Sequence, residues 1–520
     1  MAKHHSIIAP ASGEPIEEIL EDDASNLGAL VAKAREAQGS WRARPYPERR
    51  TAALAARDWV VAHADRIAET ISRCTGKTRV DALSTEVMPA ALAINYYARA
   101  VGRELKPHRE RRSSMLFFNK ATFIHREPFG VVGIISPWNY PFGIPVHEVI
   151  TALLAGNGVL LKVATQAQTV GGLIHEMVRE AGFPPALFSL VHLPGSVAGA
   201  AFLGSGIDKL FFTGSTAVGK LLMEEAGRSL IPVSMELGGN DAMIVLDDAN
   251  LERAASGAVW AGISNCGQSC GGVERIYVEG SAYEPFIELL SKKVALLRQG
   301  PDVDFEVDFG SLTTSEQFRT VERHLKQALE RGARVAARSG EPAAKGELFF
   351  PAMVVEVDRD DMALMADETF GPLLAVERVH DEIEAVEKAN AGYLGLTASV
   401  WTRSRSRGER LAGRLEAGTV TINDHLMSHG MAEASWGGFK QSGIGRTHGI
   451  SGIHEMLREK AVVVELLPAM KRNMWWHPHS KRVYDGLIAA LTLLFGKGLL
   501  RRSCAALRMV RLFLKAARGK

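Results

Sequence analysis

The sequence predicts an α/β fold built from two successive strand–helix domains, and three observations carry that expectation. From Gly130 onward, short apolar runs alternate with longer helical segments, the pattern of parallel strands joined by crossover helices. A second series of the same kind follows Cys270. The chain of 520 residues is too long for one ordinary domain, and its 46% hydrophobic content and 50 glycines suit large cores with many tight turns.

Taken in order, an acidic polar run (Glu17, Glu18, Glu21, Asp22, Asp23) opens the chain, without the apolar stretch of a secretory signal. Ala24–Ala37, Tyr46–Ser72 and Leu83–Val101 carry apolar residues at three- and four-residue spacing and are expected as helices over a sheet. Met115–Phe118 and Ala121–Ile124 flank the polar pair Asn119-Lys120, which predicts a β-hairpin. Pattern alone leaves open whether it is a core hairpin or a projecting arm. Val131–Ile135, Val159–Leu161, Phe188–Val191, Lys209–Phe212 and Met243–Leu246 read as buried strands, with helices such as Val146–Ala155 and Val170–Ala181 between them. The second series has strands near Arg275–Val278, Thr397–Trp401 and Thr419–Asn423. No internal repeat or low-complexity tract interrupts the chain.

Cys74, Cys266, Cys270 and Cys504 have neither the spacing of a disulfide framework nor that of a zinc site, so no metal is expected and a reducing cytoplasm is the simplest setting. The net charge of +2 conceals an asymmetry. From residue 471 onward twelve Lys and Arg face one acid, Asp485, so the tail carries +11 and the body −9. Leu487–Phe495 is apolar but half the length of a membrane span. Beyond Gly498, Leu500, Cys504, Leu507, Val510 and Leu514 recur at helical spacing among Arg501, Arg502, Arg508, Arg511 and Lys515, with Trp475 and Trp476 upstream. A basic amphipathic helix of this kind suits an anionic membrane surface on the cytoplasmic side, though a face packed on its own oligomer or a solvated basic face fits the same pattern. Nucleic-acid binding lacks its usual aromatic-basic module.

The chemistry centres on Asn265-Cys266-Gly267-Gln268-Ser269-Cys270-Gly271-Gly272, a thiol among small residues. A lone buried cysteine is more often a small hydrophobe than a nucleophile. Here a carboxylate stands at a glycine turn in Glu236-Leu237-Gly238-Gly239-Asn240, and a carboxamide on the proline-stiffened loop Ser136-Pro137-Trp138-Asn139-Tyr140-Pro141. Thiol, carboxylate and carboxamide suit a nucleophile, a base and an oxyanion donor. Lys209–Phe212, running through Thr213-Gly214-Ser215 into Thr216–Gly219, is a strand, glycine turn and helix start of the kind that receives phosphate, though not a G-x-G-x-x-G fingerprint.

On these segments, together with Glu127–Phe142, Gly156–Lys162, Asp367–Pro372 and Ser435–Gly445 in one order, the chain closely resembles the NAD(P)-dependent aldehyde dehydrogenases from about its first tenth to about Leu467. The resemblance implies an aldehyde dehydrogenase-like fold. A Rossmann-type cofactor domain (1–106 and 129–238), a catalytic domain (239–456) and an oligomerisation arm (107–128 and 457–467) would precede the basic extension 468–520, in a homodimer or homotetramer. It implies oxidation of an aldehyde to its acid, with Cys270 as nucleophile, Glu236 activating water and Asn139 holding the oxyanion. It further implies that Ile135, Ser136, Pro137, Trp138, Lys162, Gly214, Ser215, Val218, Leu237, Glu368 and Phe370 bind NAD or NADP. Glu368 would meet the nicotinamide ribose and Lys162 the adenosine ribose.

One departure bears on the cofactor. Where the family usually continues from its lysine to a glutamate that binds ribose hydroxyls, this chain reads Lys162-Val163-Ala164-Thr165, and Thr165 would not repel a 2′-phosphate. Glu236 weighs against relatives that pass the acyl group to coenzyme A, and the intact trio weighs against a non-catalytic scaffold with this fold. No arginine or lysine is evidently placed to read a substrate carboxylate, which favours apolar aldehydes and leaves Tyr140 as an aromatic wall.

Overall fold

The computed structural model describes residues 4–342, 346–473 and 475–517. The outer ends of the expected first domain and of the extension (residues 1–3 and 518–520), and the side chain of Lys515, lie outside the described residues. Two compact units result: residues 4–104 with 128–458, and residues 105–127 with 459–517.

The first unit contains two sheets. One is formed by β1 (Val131–Ser136), β2 (Gly158–Val163), β3 (Phe188–Leu190), β4 (Lys209–Thr213) and β5 (Val233–Glu236). The other is formed by β6 (Asp241–Val245), β7 (Val273–Glu279), β8 (Arg334–Arg338), β9 (Met353–Val357), β10 (Leu373–Val379), β11 (Thr397–Trp401) and β12 (Thr419–Ile422). A late two-residue strand, β13 (Gly443–Ile444), closes the edge of the first sheet, whose order is β13-β5-β4-β1-β2-β3. The second runs β8-β9-β10-β7-β6-β11-β12. Every pairing among β1 to β5 is parallel, and β13 joins antiparallel to β5. In the second sheet only β8 runs antiparallel to its neighbour.

Parallel strands covered on both faces read as continuous apolar runs, and β1 and β2 are buried at every residue. The crossover between them, α1 (Gly143–Ala155), is likewise buried throughout. The register matters for function. Ile135 on β1 lies opposite Lys162 on β2 and Phe212 on β4, and Thr213 lies opposite Glu236. The carboxyl ends of four strands therefore meet along one edge, where open α/β sheets place their ligands. The helices that follow β2, β3 and β4 are α2 (Gln168–Glu180), α3 (Gly195–Gly204) and α4 (Thr216–Ser229), and α5 (Leu251–Ile263) follows β6.

The structure corrects two local expectations and shows a strand pair ahead of them. Tyr46–Ser72 is two helices, Tyr46–Ala62 and Ala64–Thr75, because His63 leaves helical geometry at φ −112° and ψ 17°. Glu17 and Glu18 of the acidic run lie in an antiparallel pair, His4–Ile8 with Pro15–Leu20. The two-residue hairpin is absent: Met115–Phe117 is a single 3₁₀ turn, with Ser114 Oγ accepting from the Leu116 N–H. A hydroxyl cap at that position outcompetes strand pairing.

The second unit carries the arm in another form. Lys120–Pro128 pairs with the short strand His108–Arg109 across a longer loop, and Leu457–Glu465 flanks it on the other side. Within this unit Lys120 and Asn119 both engage Glu465. Two helices end the chain, α6 (Lys481–Phe495) and α7 (Leu499–Ala517). Among the described residues no helix is long and apolar enough to cross a membrane.

Candidate active site

Helix α5 begins where Asn250 Oδ1 accepts from the Arg253 N–H, and its end hands the chain to a strained turn. Asn265, Cys266 and Gly267 adopt φ of 54°, 55° and 74° in succession. Left-handed geometry costs roughly 1–2 kcal/mol for each residue with a side chain, so neighbouring groups must hold it. Asn265 donates its N–H to Asp81 Oδ2 (3.0 Å) and its Nδ2 to the carbonyls of Asn139 (2.9 Å) and Gln268 (3.0 Å). Gln268 donates Nε2 back to the Asn265 carbonyl (2.9 Å) and accepts the Thr313 N–H at Oε1 (2.9 Å). At Gly267 any Cβ would lie 2.1 Å from the Gly371 carbonyl oxygen.

The turn separates the two neighbouring cysteines. Cys266 is wholly buried, whereas Cys270 is only partly covered and lines a cavity of about 210 Å³. The rest of that wall is mostly apolar, with Met88, Leu92, Trp260, Leu426, Met427 and Trp436 prominent. Gly271 lets the Trp436 ring approach, since a Cβ there would lie 2.6 Å from it.

The loop bearing Asn139 is tied down by a pair of charges that sequence reading missed. Lys77 and Glu86 are wholly buried, with Nζ 2.7 Å from Oε1. Lys77 Nζ also donates to the Asn139 carbonyl (2.6 Å) and sits 4.1 Å from the centre of the Tyr140 ring. Glu86 Oε2 accepts the N–H groups of Phe142 (2.8 Å) and Gly143 (3.0 Å) at the start of α1. Burial pulls the Lys77 ammonium down from its ordinary range, and the Glu86 carboxylate opposes that shift. Asn139 thus has its backbone clamped while its side-chain Nδ2 donates to the Gln268 carbonyl (3.1 Å), two residues before Cys270. Its Oδ1 is buried without a partner.

Three carboxyl groups act on the thiol. Burial raises the Cys270 thiol far above its usual value, and Glu368, Asp241 and Glu236 raise it further. Glu236 ends β5, buried, with Oε2 unpartnered. Its carboxyl is pushed well up by burial first and then by the Glu148 carboxylate. Only glycine fits at 437, because a Cβ would lie 3.0 Å from Glu236 Oε1 on a backbone at φ +148°. Glu368 accepts the Gly239 N–H at 2.9 Å, and burial raises it to about 7.

The strand ends assemble the remaining expected residues. Ile135 and Ser136 close β1, and Pro137 and Trp138 follow. Lys162 lies inside β2, one residue before its end, and burial lowers its ammonium to about 8. Gly214 donates its N–H to the Glu236 carbonyl (3.0 Å), and a Cβ on it would strike the Phe212 ring at 2.6 Å. Ser215 caps α4 by accepting from the Val218 N–H. Val218 is exposed on the first turn, while Leu237 is buried against Gly219. Two hydroxyls at this edge, Ser136 Oγ and Thr213 Oγ1, are buried without partners.

Phe370 meets Trp138 edge to face, with ring centres 5.6 Å apart. It holds φ 55° because Glu274 accepts the N–H groups of Thr369 and Phe370 at 2.7 Å each, and Gln317 Nε2 donates to both carbonyls. Glu274 was also missed, although an acid inside the apolar strand Val273–Glu279 is a signal that it has a partner. Behind the cavity, His147, His429 and His448 pack ring against ring at 4.2 to 6.1 Å. Burial lowers His147 to about 3 and His429 to about 4, so the cavity wall that His429 forms is uncharged at neutral pH.

Comparison with known proteins follows the same lines. The family model described as the aldehyde dehydrogenase family matches residues 1–462. A Mycolicibacterium smegmatis protein provisionally named succinate-semialdehyde dehydrogenase [NADP(+)] is 39% identical, over 87% of this chain and 87% of its own. A Methylomonas sp protein named 4,4'-diapolycopene aldehyde oxidase is 35% identical, over 97% of this chain and 95% of its own. The NAD+ complex of an aldehyde dehydrogenase from Bacillus cereus superposes with a TM-score of 0.84 at 32% identity, over 89% of this chain and 94% of that one.

The raised thiol makes a prediction about resting reactivity. In a Cys504→Ser background, alkylation of Cys270 by iodoacetamide should be slow at pH 7 and climb roughly tenfold per pH unit up to pH 9, since only the thiolate reacts. A plateau by pH 8 in the peptide-mapped rate would contradict the raised thiol.

Proposed function

The chain belongs to the aldehyde dehydrogenase family, and from that premise we propose how its own residues carry out the reaction and which aldehydes it takes. The enzyme oxidises an aldehyde to the carboxylic acid with NAD or NADP. Cys270, once deprotonated, adds to the aldehyde carbon and forms a thiohemiacetal. Asn139 Nδ2 and the Cys270 backbone N–H hold its developing oxyanion, donors of a kind each worth about 10²–10³ in rate. A nicotinamide held at this site would supply the hydride acceptor, and loss of hydride from the thiohemiacetal carbon leaves a thioester on Cys270. Glu236 then takes a proton from water for hydrolysis.

The unpartnered hydroxyls of Ser136 and Thr213, the glycine cradle at Gly214 and the capped start of α4 fit a dinucleotide along the strand ends. Ile135, Pro137, Trp138, Val218 and Leu237 line its course, with Lys162 toward the adenosine ribose. Glu368, which accepts the Gly239 N–H, would hold the nicotinamide ribose hydroxyls, beside Phe370. The dinucleotide-binding part comprises 1–106 and 129–238, and the catalytic part 239–456. The arm (107–128 and 457–467) joins copies into a homodimer or homotetramer, a reading supported by the exposed Val463, Val464, Leu466 and Leu467. The extension 468–520 holds the enzyme at an anionic membrane surface facing the cytoplasm, a compartment in keeping with four free cysteines.

The cavity wall carries the substrate reading. Among the described residues its lining contains no lysine or arginine, and His429 is neutral, so a carboxylate on the substrate would meet no counter-charge. Apolar aldehydes fit instead. The Methylomonas relative, named for an aldehyde of 4,4'-diapolycopene, also matches this chain over a greater length than the semialdehyde-named relative does.

Burial of each added methylene is worth about 0.8 kcal/mol, so kcat/KM for straight-chain aldehydes should rise roughly fourfold per carbon until the cavity is filled. Succinic semialdehyde should fall below butanal, and the reverse order would refute the apolar reading. For the cofactor, Thr165→Glu should cut the NADP rate at least about tenfold while sparing NAD, since a carboxylate beside a 2′-phosphate is repelled. Equal effects on both cofactors would remove Thr165 from the ribose site.

A further inference from the structure

The C-terminal helices form a hairpin whose closed end is its most exposed apolar surface. Ser480 Oγ caps α6 through the Val483 N–H, and Gly496-Lys497-Gly498 reverses the chain, with Gly498 at φ +90°. The helices pack through small residues: Gly486, Ala489 and Ala490 on α6 and Ala505 on α7 are buried. Arg502 Nε reaches back to the Leu493 carbonyl (2.9 Å) and fixes the turn. Large apolar side chains are left outward. Phe495 is 78% exposed, Leu499 83% and Leu500 86%, all beside the reversal. Ile488 and Leu491 on α6, and Leu507, Val510 and Leu514 on α7, continue the apolar surface away from the tip. Lys497, Arg501 and Arg502 lie within a few residues of these three in the chain, and from residue 471 onward Asp485 is the one acid.

We propose that this hairpin enters an anionic bilayer tip first, with Phe495, Leu499 and Leu500 at the boundary between headgroups and acyl chains and Lys497, Arg501 and Arg502 among the lipid phosphates. The inference rests on the peripheral-membrane reading given above and adds a depth and an orientation to it. Charge complementarity selects the occupant. A symmetric contact with a second copy would set each tip's three cations against their own kind, since a two-fold interface presents one patch to itself. An anionic lipid surface satisfies both the apolar residues and their basic rim. Insertion limited to a depth of roughly 5–10 Å keeps the cations hydrated. The enzyme would then collect apolar aldehydes from the phase in which they dissolve.

The test uses the full chain with sedimented vesicles of phosphatidylcholine alone, or of phosphatidylcholine with one quarter phosphatidylglycerol. The wild type should pellet with the anionic vesicles, and Phe495→Ser/Leu499→Ser/Leu500→Ser should reduce binding at least tenfold without changing turnover of a water-soluble aldehyde. Phe495→Trp should gain a fluorescence component quenched by lipids brominated on the acyl chain. If the serine variant binds like wild type while Lys497→Gln/Arg501→Gln/Arg502→Gln does not, the tip does not insert and only the surface reading survives. If wild type ignores both vesicles, both readings fall. If the serine variant changes the oligomer size in solution, the tip faces protein and the proposal is overturned.

Discussion

The buried Lys77–Glu86 pair is the constraint on which the active site depends. Two charges taken out of water together gain little stability over an apolar pair, so its value lies in what the charges are aimed at. One reaches the Asn139 carbonyl and the other the first two amides of α1, so the loop between β1 and α1 is held from both ends. Asn265 joins the same carbonyl to the turn that carries Cys270. Carboxamide and thiol come from segments more than a hundred residues apart, and this network sets their relation.

That arrangement explains the electrostatics of the resting site. Cys270, Glu236 and Glu368 are all shifted toward their protonated forms, chiefly by burial. A thiol shifted this way holds little thiolate at neutral pH until a ligand alters its surroundings. The uncharged histidine cluster and the apolar cavity wall extend the same low-dielectric surroundings outward, where a donor aimed at an oxyanion has its greatest effect.

Local chemistry was legible in the sequence wherever it was written in contiguous residues. The strands Val131–Ser136 and Lys209–Thr213 are written around short apolar runs, and the residues around Asn139, Glu236 and Cys270 stand in contiguous motifs. Lys77, Asp81 and Glu86 were not legible, because each acts across a long gap in the chain and looks alone like any surface charge, whereas Glu274 is marked by its place inside an apolar strand. The Met115–Phe118 run misled for a different reason. Apolar content was read as strand, while Ser114 had already committed the backbone to a turn. Periodicity reports which face is buried, and capping hydroxyls decide where an element begins.

The most direct measurement is turnover of the doubly neutral variant Lys77→Met/Glu86→Gln. Glutamine keeps an acceptor for Phe142 and Gly143, neither member of the pair is left charged without the other, and Asp81 keeps the Asn265 N–H, so thermal unfolding should stay within a few degrees of wild type. Aldehyde oxidation should nevertheless fall about 10²-fold, the scale of a lost oxyanion donor, because the Asn139 carbonyl is no longer anchored. Wild-type turnover in a folded double variant would contradict the view that this pair positions the site.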